Sequence, residues 1–153
     1  MQLAIREQLN YNGDLQWLDI PVLPDVPFFI YSGGGYCLTL PVNAGDECLI
    51  VFGDTCMDAW WQSGSVQNQI DHRRHDLSDG FAIVGFRSQP NRVNGFSSNS
   101  AQLRNASGSA CIEIVGDTIN IRSYNTTIDG VSFLGHTHKG VETGGGNTGG
   151  VNA

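Results

Sequence analysis

Isoleucine stands at every second position in two successive runs, residues 111–115 (CIEIV) and 118–121 (TINI), with a Gly116-Asp117 turn between them. A period of two belongs to a β-strand with one apolar face, and it puts Ile112, Ile114, Ile119 and Ile121 on common faces. The constraint comes from what is missing around them. Residues 88–109 (SQPNRVNGFSSNSAQLRNASGS) are polar and small, and the chain after residue 134 is rich in glycine. This part of the sequence is too short to build its own core. Burial against further copies of the same chain is the economical solution, and a three-chain intertwined β-prism would provide it.

The rest of the chain is punctuated like an all-β protein, with almost no helical periodicity. Strands are expected over 3–9, over 15–23 with Pro21 at an edge or break, and over 26–31, closed by Gly33, Gly34 and Gly35. Residues 36–40, 47–52 and 81–86 complete the set. The run 47–52 (ECLIVF) is the most continuous and reads as a strand buried on both faces. Five or six short strands in the first 86 residues predict a small barrel of the five-stranded OB type. The long excursion 58–80 holds Trp60, Trp61 and the polar cluster 71–80 (DHRRHDLSDG), with room for a short capping helix. One tryptophan is expected as a buried anchor and the other at an interface. Residues 127–133 continue the alternation begun at 111. The expected organisation is therefore an OB-fold domain over 1–90, a linker over 91–109, a short trimeric β-helical shaft over 110–134 and a glycine-rich apex over 135–153.

Composition narrows the function. Charged residues make up only 15% of the chain and glycine numbers 20, which suits extended β structure covered by neighbouring chains better than a monomeric enzyme. A net charge of −7 disfavours nucleic acid as a partner, and Arg73 and Arg74 are flanked by Asp71 and Asp76 rather than forming a basic stripe. An OB-fold nucleic-acid binder would need a charged groove beside its aromatics, which Trp60 and Trp61 lack. The N-terminus has no secretory pattern, so folding in a cytoplasm is expected. Cys37, Cys48, Cys56 and Cys111 fit no zinc spacing and are expected as reduced, mostly buried thiols. His72, His75, Asp76 and Asp79 could be imagined as an acid–base or metal cluster, but a polar loop satisfying its own turns is the expected role. No nucleophile elbow, HExxH or phosphate loop is present in the sequence.

His136 and His138 are the candidate ligands. In an extended chain, residues two apart project to the same side, with Thr137 facing away. Two imidazoles make an incomplete site, but three chains on a threefold axis would bring six together. Six nitrogens suit an octahedral first-row ion such as iron or nickel better than zinc, and a filled shell leaves no position for substrate. The ion would be structural. Seven glycines in residues 135–150 would let three backbones crowd about that axis.

Residues 42–64 (VNAGDECLIVFGDTCMDAWWQSG) and 75–85 (HDLSDGFAIVG) resemble the N-terminal domain of the phage baseplate central spike family. Residues 135–141 (GHTHKGV) and 148–150 (TGG) are similar to the tip of the same spikes. The resemblance spans about 15–90 and 135–150. It implies a homotrimer whose OB-fold domain docks to the tail hub, a β-helical shaft, and an apex held by one iron ion through six histidines. By motif position, His136 and His138 are the ligands. The implied role is mechanical, in the virion at the tail tip: the spike plugs the tail tube and pierces the host outer membrane when the sheath contracts. Here the shaft is short, and the chain starts close to its barrel. The alternative is a trimeric receptor-binding adhesin tip or an OB-fold binding module of a tail assembly; a receptor binder should carry broad aromatic and polar loops at its distal end, where this chain offers glycines, one lysine and one glutamate.

Overall fold

The computed structural model describes residues 1–133 and 135–136. Among the described residues the structure is all-β apart from one short helix and one 3-10 turn, and the chain divides into two units, Met1–Arg92 and Val93–Ala153.

The first unit opens with a hairpin of β1 (Arg6–Tyr11) and β2 (Asp14–Asp19), paired from Arg6↔Asp19 to Tyr11↔Asp14. Asn12 and Gly13 form its two-residue loop at φ 54 and 93. Both positions need the left-handed region, which asparagine tolerates and glycine adopts without steric cost. Next come β3 (Tyr31–Gly33) and β4 (Tyr36–Leu38), a second hairpin joined through Gly34 and Gly35. The third pair is β5 (Cys48–Phe52) with β6 (Gly80–Val84), in register Ile50↔Ala82.

The far edge of β6 also finds a partner. Ala82 donates its N–H to Pro27 O (2.9 Å) and accepts from the N–H of Phe29 (2.8 Å), a parallel bridge centred on Phe28 and Ala82. This places Ala82 at the centre of the unit, fully buried, with Leu23 and Cys56 also buried. Space at position 80 is tight: a Cβ there would lie 3.2 Å from Ile50 Cγ2 and from Phe52 Cε1, so those side chains would have to give by a few tenths of an ångström.

Three expectations for this unit need correcting. First, its strands stop at two-stranded pairs, and among the described residues they do not close into a barrel. The hairpins are spent on pairing within themselves, and apart from the Phe28 bridge none adds to the β5–β6 edges. Second, β5 is not buried on both faces, because Leu49 and Val51 are exposed. Third, neither tryptophan is buried. Both lie on α1 (Asp58–Ser63), where Trp60 leans on Phe81 with ring centroids 5.8 Å apart, and both stay about half exposed. The helix itself agrees with the sequence. No described helix is long and apolar enough to cross a membrane.

The second unit carries a three-stranded antiparallel sheet in the order β7 (Ala101–Arg104), β8 (Cys111–Val115), β9 (Thr118–Arg122). Strand β7 lies inside the stretch expected to be a linker. A short hairpin follows, β10 (Thr127–Ile128) with β11 (Val131–Ser132), so the alternation over 127–133 folds back on itself at Asp129 and Gly130 instead of continuing as one strand. The four cysteines are free thiols; Cys56 and Cys111 are buried, Cys48 is partly so, and Cys37 is exposed.

Candidate functional site

The sheet of the second unit separates its two faces by chemistry. Register aligns Ala101 with Ile114 and Ile119, and Leu103 with Ile112 and Ile121. These six residues form one continuous apolar face, and it is exposed: Ile119 and Ile121 keep 67% and 62% of their surface in solvent. The opposite face carries Gln102, Glu113 and Asn120 in one row, and Arg104, Cys111 and Arg122 in the next. There the polar groups satisfy each other. Glu113 accepts from Ser100 Oγ and Gln102 Nε2, both at 2.6 Å, and these bonds hold its carboxyl below the ordinary range. The sheet is therefore finished on its polar side and unfinished on its apolar one. Leu103 and Ala101, which sequence reasoning assigned to a linker, widen the apolar face beyond the four isoleucines. The only signal was the brief alternation at 101–104.

The β10–β11 hairpin leads directly to the candidate ligand. Phe133 donates its N–H to Thr126 O (2.8 Å), closing the hairpin base. Ser132 Oγ donates to Asn125 Oδ1 (3.0 Å) and accepts from Gly135 N–H (3.2 Å). His136 then places Nδ1 2.8 Å from Phe133 O, with the two rings 6.4 Å apart. His136 is exposed, and His138 lies outside the described residues. An exposed imidazole with one ring nitrogen on a backbone carbonyl fits a histidine ligand, because metal-bound histidines commonly donate their second nitrogen to such a partner.

The rival cluster resolves into structural parts. Asp79 is fully buried, and Arg73 grips it with Nε to Oδ2 (2.9 Å) and Nη2 to Oδ1 (2.7 Å). The Met57 N–H at the start of α1 donates to the same Oδ1 (2.9 Å), and Arg73 also reaches Asp58 at 2.9 Å. The Arg73 bonds, then the Met57 N–H, hold the Asp79 carboxyl below its usual range against the opposing effect of burial. Asp58 is lowered by the same guanidinium, and Arg73 is raised in turn. Cys56, Asp58 and Asp79 bring three potential ligand atoms within 4.8 Å. Both oxygens of Asp79 are already engaged, however, so a cation there would have to displace a bidentate guanidinium.

Asp76 caps a local turn, accepting from the N–H (2.9 Å) and Oγ of Ser78. His75 pairs with the exposed Asp54 at 3.0 Å and not with Asp76 or Asp79. The structure thus splits His75, Asp76 and Asp79 instead of assembling an acid–base pair, and His72 is exposed. Sequence reasoning missed the part played by Arg73, whose spacing to Asp79 follows no periodic pattern.

Residues 1–85 match the family model described as phage protein Gp138 N-terminal domain. A search of curated proteins found no match to the chain.

Proposed function

The chain belongs to the phage protein Gp138 N-terminal domain family, and on that premise we propose that it is the central spike of a contractile tail, a homotrimer that plugs the tail tube and pierces the host outer membrane. The observation that carries this is the six-residue apolar face of β7–β8–β9, whose last residue, Ile121, precedes the histidine pair by the length of the β10–β11 hairpin and its flanks. A lone chain leaves that face in water. Two further copies of the same sheet are the occupant best matched to it, since each copy offers the same apolar rows and no charged group among them.

A piercing device needs stiffness and a tip that does not splay. Strands closed between chains remove free edges, which otherwise invite non-native pairing. His136 and His138 from three chains would hold one ion, iron by resemblance, with another octahedral divalent metal able to serve. The ion supplies a cross-link among the chains where apolar burial per residue is least. The first unit would dock to the tail hub through its exposed strands. No residue of the proposed device acts on a substrate, so the protein is proposed as a structural part and not an enzyme.

Light scattering and elemental analysis on the purified protein test this together. The expected result is a particle of about 50 kDa, three times the 16.5 kDa chain, with about one metal ion per particle. The double variant His136→Ala, His138→Ala should lose the metal and gain protease sensitivity at its C-terminal end. A metal-free monomer would remove the spike assignment. A metal-free trimer that binds cells would favour the adhesin reading instead.

A further inference from the structure

The apolar face of the second unit is not flat. Where Leu103, Ile112 and Ile121 lie side by side, it opens into a pocket of about 360 Å³. The next row on the same face, Asn105, Ala110 and Ser123, continues the lining, and residues 125–126 wall one side. Tyr124 lies between two of these lining residues in the chain, yet it is not part of the lining and is fully exposed. Resting on the reading that copies of this chain associate through this face, we propose that Tyr124 of each copy inserts into the pocket of the next. The result is a knob and hole repeated around the threefold axis.

Symmetry sets the levels. A rotation moves no residue along its axis, so Tyr124 of every copy stands nearly level with Ser123 and Thr126, which line the pocket. A knob on one surface and a hole on another make a head-to-tail contact, and such contacts form a ring when the rotation closes. The chemistry agrees. Leu103, Ile112 and Ile121 supply an aliphatic floor, and the polar side chains of Asn105 and Ser123 follow at one end. A ring bearing one hydroxyl matches both parts, and the volume is enough to take it. The knob is also pre-set. The hydroxyls of Ser123 and Thr126 share a hydrogen bond (2.8 Å), and Asn125 Oδ1 accepts from Ser132 Oγ (3.0 Å). Thr126 O accepts the Phe133 N–H (2.8 Å). The chain is tied on both sides of Tyr124, so little ordering remains to be done on contact.

The test places the photoreactive residue p-benzoylphenylalanine at position 124 of the full chain, after light scattering has given the particle mass. Irradiation should produce bands of two and three chains in boiled SDS gels, with cross-linked peptides joining position 124 to residues 103–112 or 121–123. A three-chain particle without such peptides overturns the knob and leaves the association standing. A one-chain particle overturns both. Two variants read the same contact without the label: Tyr124→Ala removes the knob, and Ala110→Phe fills the hole. Each should raise the concentration at which the particle dissociates about tenfold, the scale of losing an aromatic anchor. The double variant should be no worse than either single one, because both remove one shared contact. Additive losses, or unchanged dissociation in Tyr124→Ala, would overturn the proposal.

Discussion

Asp79 and Ile119 are opposite solutions to the same problem. Asp79 is a charge taken wholly out of water, and the first unit supplies everything it needs from its own chain: a bidentate guanidinium, a backbone N–H and a second carboxylate sharing the arginine. Ile119 is an apolar side chain left two-thirds in water, and its neighbours along the sheet are more apolar residues on the same exposed face. The contrast separates what the polypeptide completes alone from what it leaves for partners. A buried polar group must be satisfied locally because its desolvation penalty falls due at once, whereas apolar surface can wait for association, since its burial is non-directional and any complementary face will serve.

The largest effect should come from reversing the apolar side of this contrast. Ile112 and Ile121 face each other across β8 and β9, and the double variant Ile112→Asp, Ile121→Asp should cut the particle mass to that of one chain by light scattering. A variant that stays at three chains would show that the face is not the interface. Second in size is Asp79→Ala. Breaking a buried pair from one side costs about 3 kcal/mol, read as a lower denaturation midpoint of the first unit, with the trimer mass unchanged. If assembly were lost while stability held, the division of labour between the two regions would be the reverse.

A smaller effect is the pH dependence carried by Asp79 and Asp58, both lowered from 3.8 first by the Arg73 bonds. Carboxyls with a lowered folded pKa stabilise fully above their unfolded value and lose that contribution as pH falls through the folded one. The first unit should therefore weaken progressively below about pH 4, and the slope should flatten in Asp79→Asn. An equal slope in both proteins would place the acid sensitivity elsewhere. Smallest is the clasp at Glu47, whose carboxylate accepts from the Ser88 N–H, the Ser88 hydroxyl (2.7 Å) and the Asn91 amide (2.6 Å). Glu47→Gln should speed hydrogen exchange at the Ser88 amide and leave both mass and global stability near their starting values. A global loss of stability would mean that the clasp supports the first unit as a whole.

Much of the strand content was legible because it is written locally. The alternation at 111–115 and 118–121 located β8 and β9, and the apolar run at 47–52 located β5. Strand β7 was not legible, because Leu103 is its one large apolar residue and it becomes a strand by pairing with β8. The barrel expected over 1–90 was an inference from strand number, and strand number does not say which edges meet. The histidine pair was visible as a spacing, but the contact between His136 and Phe133 depends on a hairpin reversing at Asp129, where the sequence pattern suggested continuation. The grip of Arg73 on Asp79 lay hidden inside a loop that read as generic polar surface.

Residue order alone shows that this protein is built of short strands and that its second unit carries an alternating apolar row. Period-two patterning is a property of the extended backbone and needs no knowledge of neighbours. That β7 extends that row, that Asp79 forms a buried ion pair with Arg73 and that His136 meets the Phe133 carbonyl emerges only from the folded chain. Each of these turns on two groups meeting through chain reversals and loops, where hydrogen-bond direction and distance, not residue pattern, choose the partner.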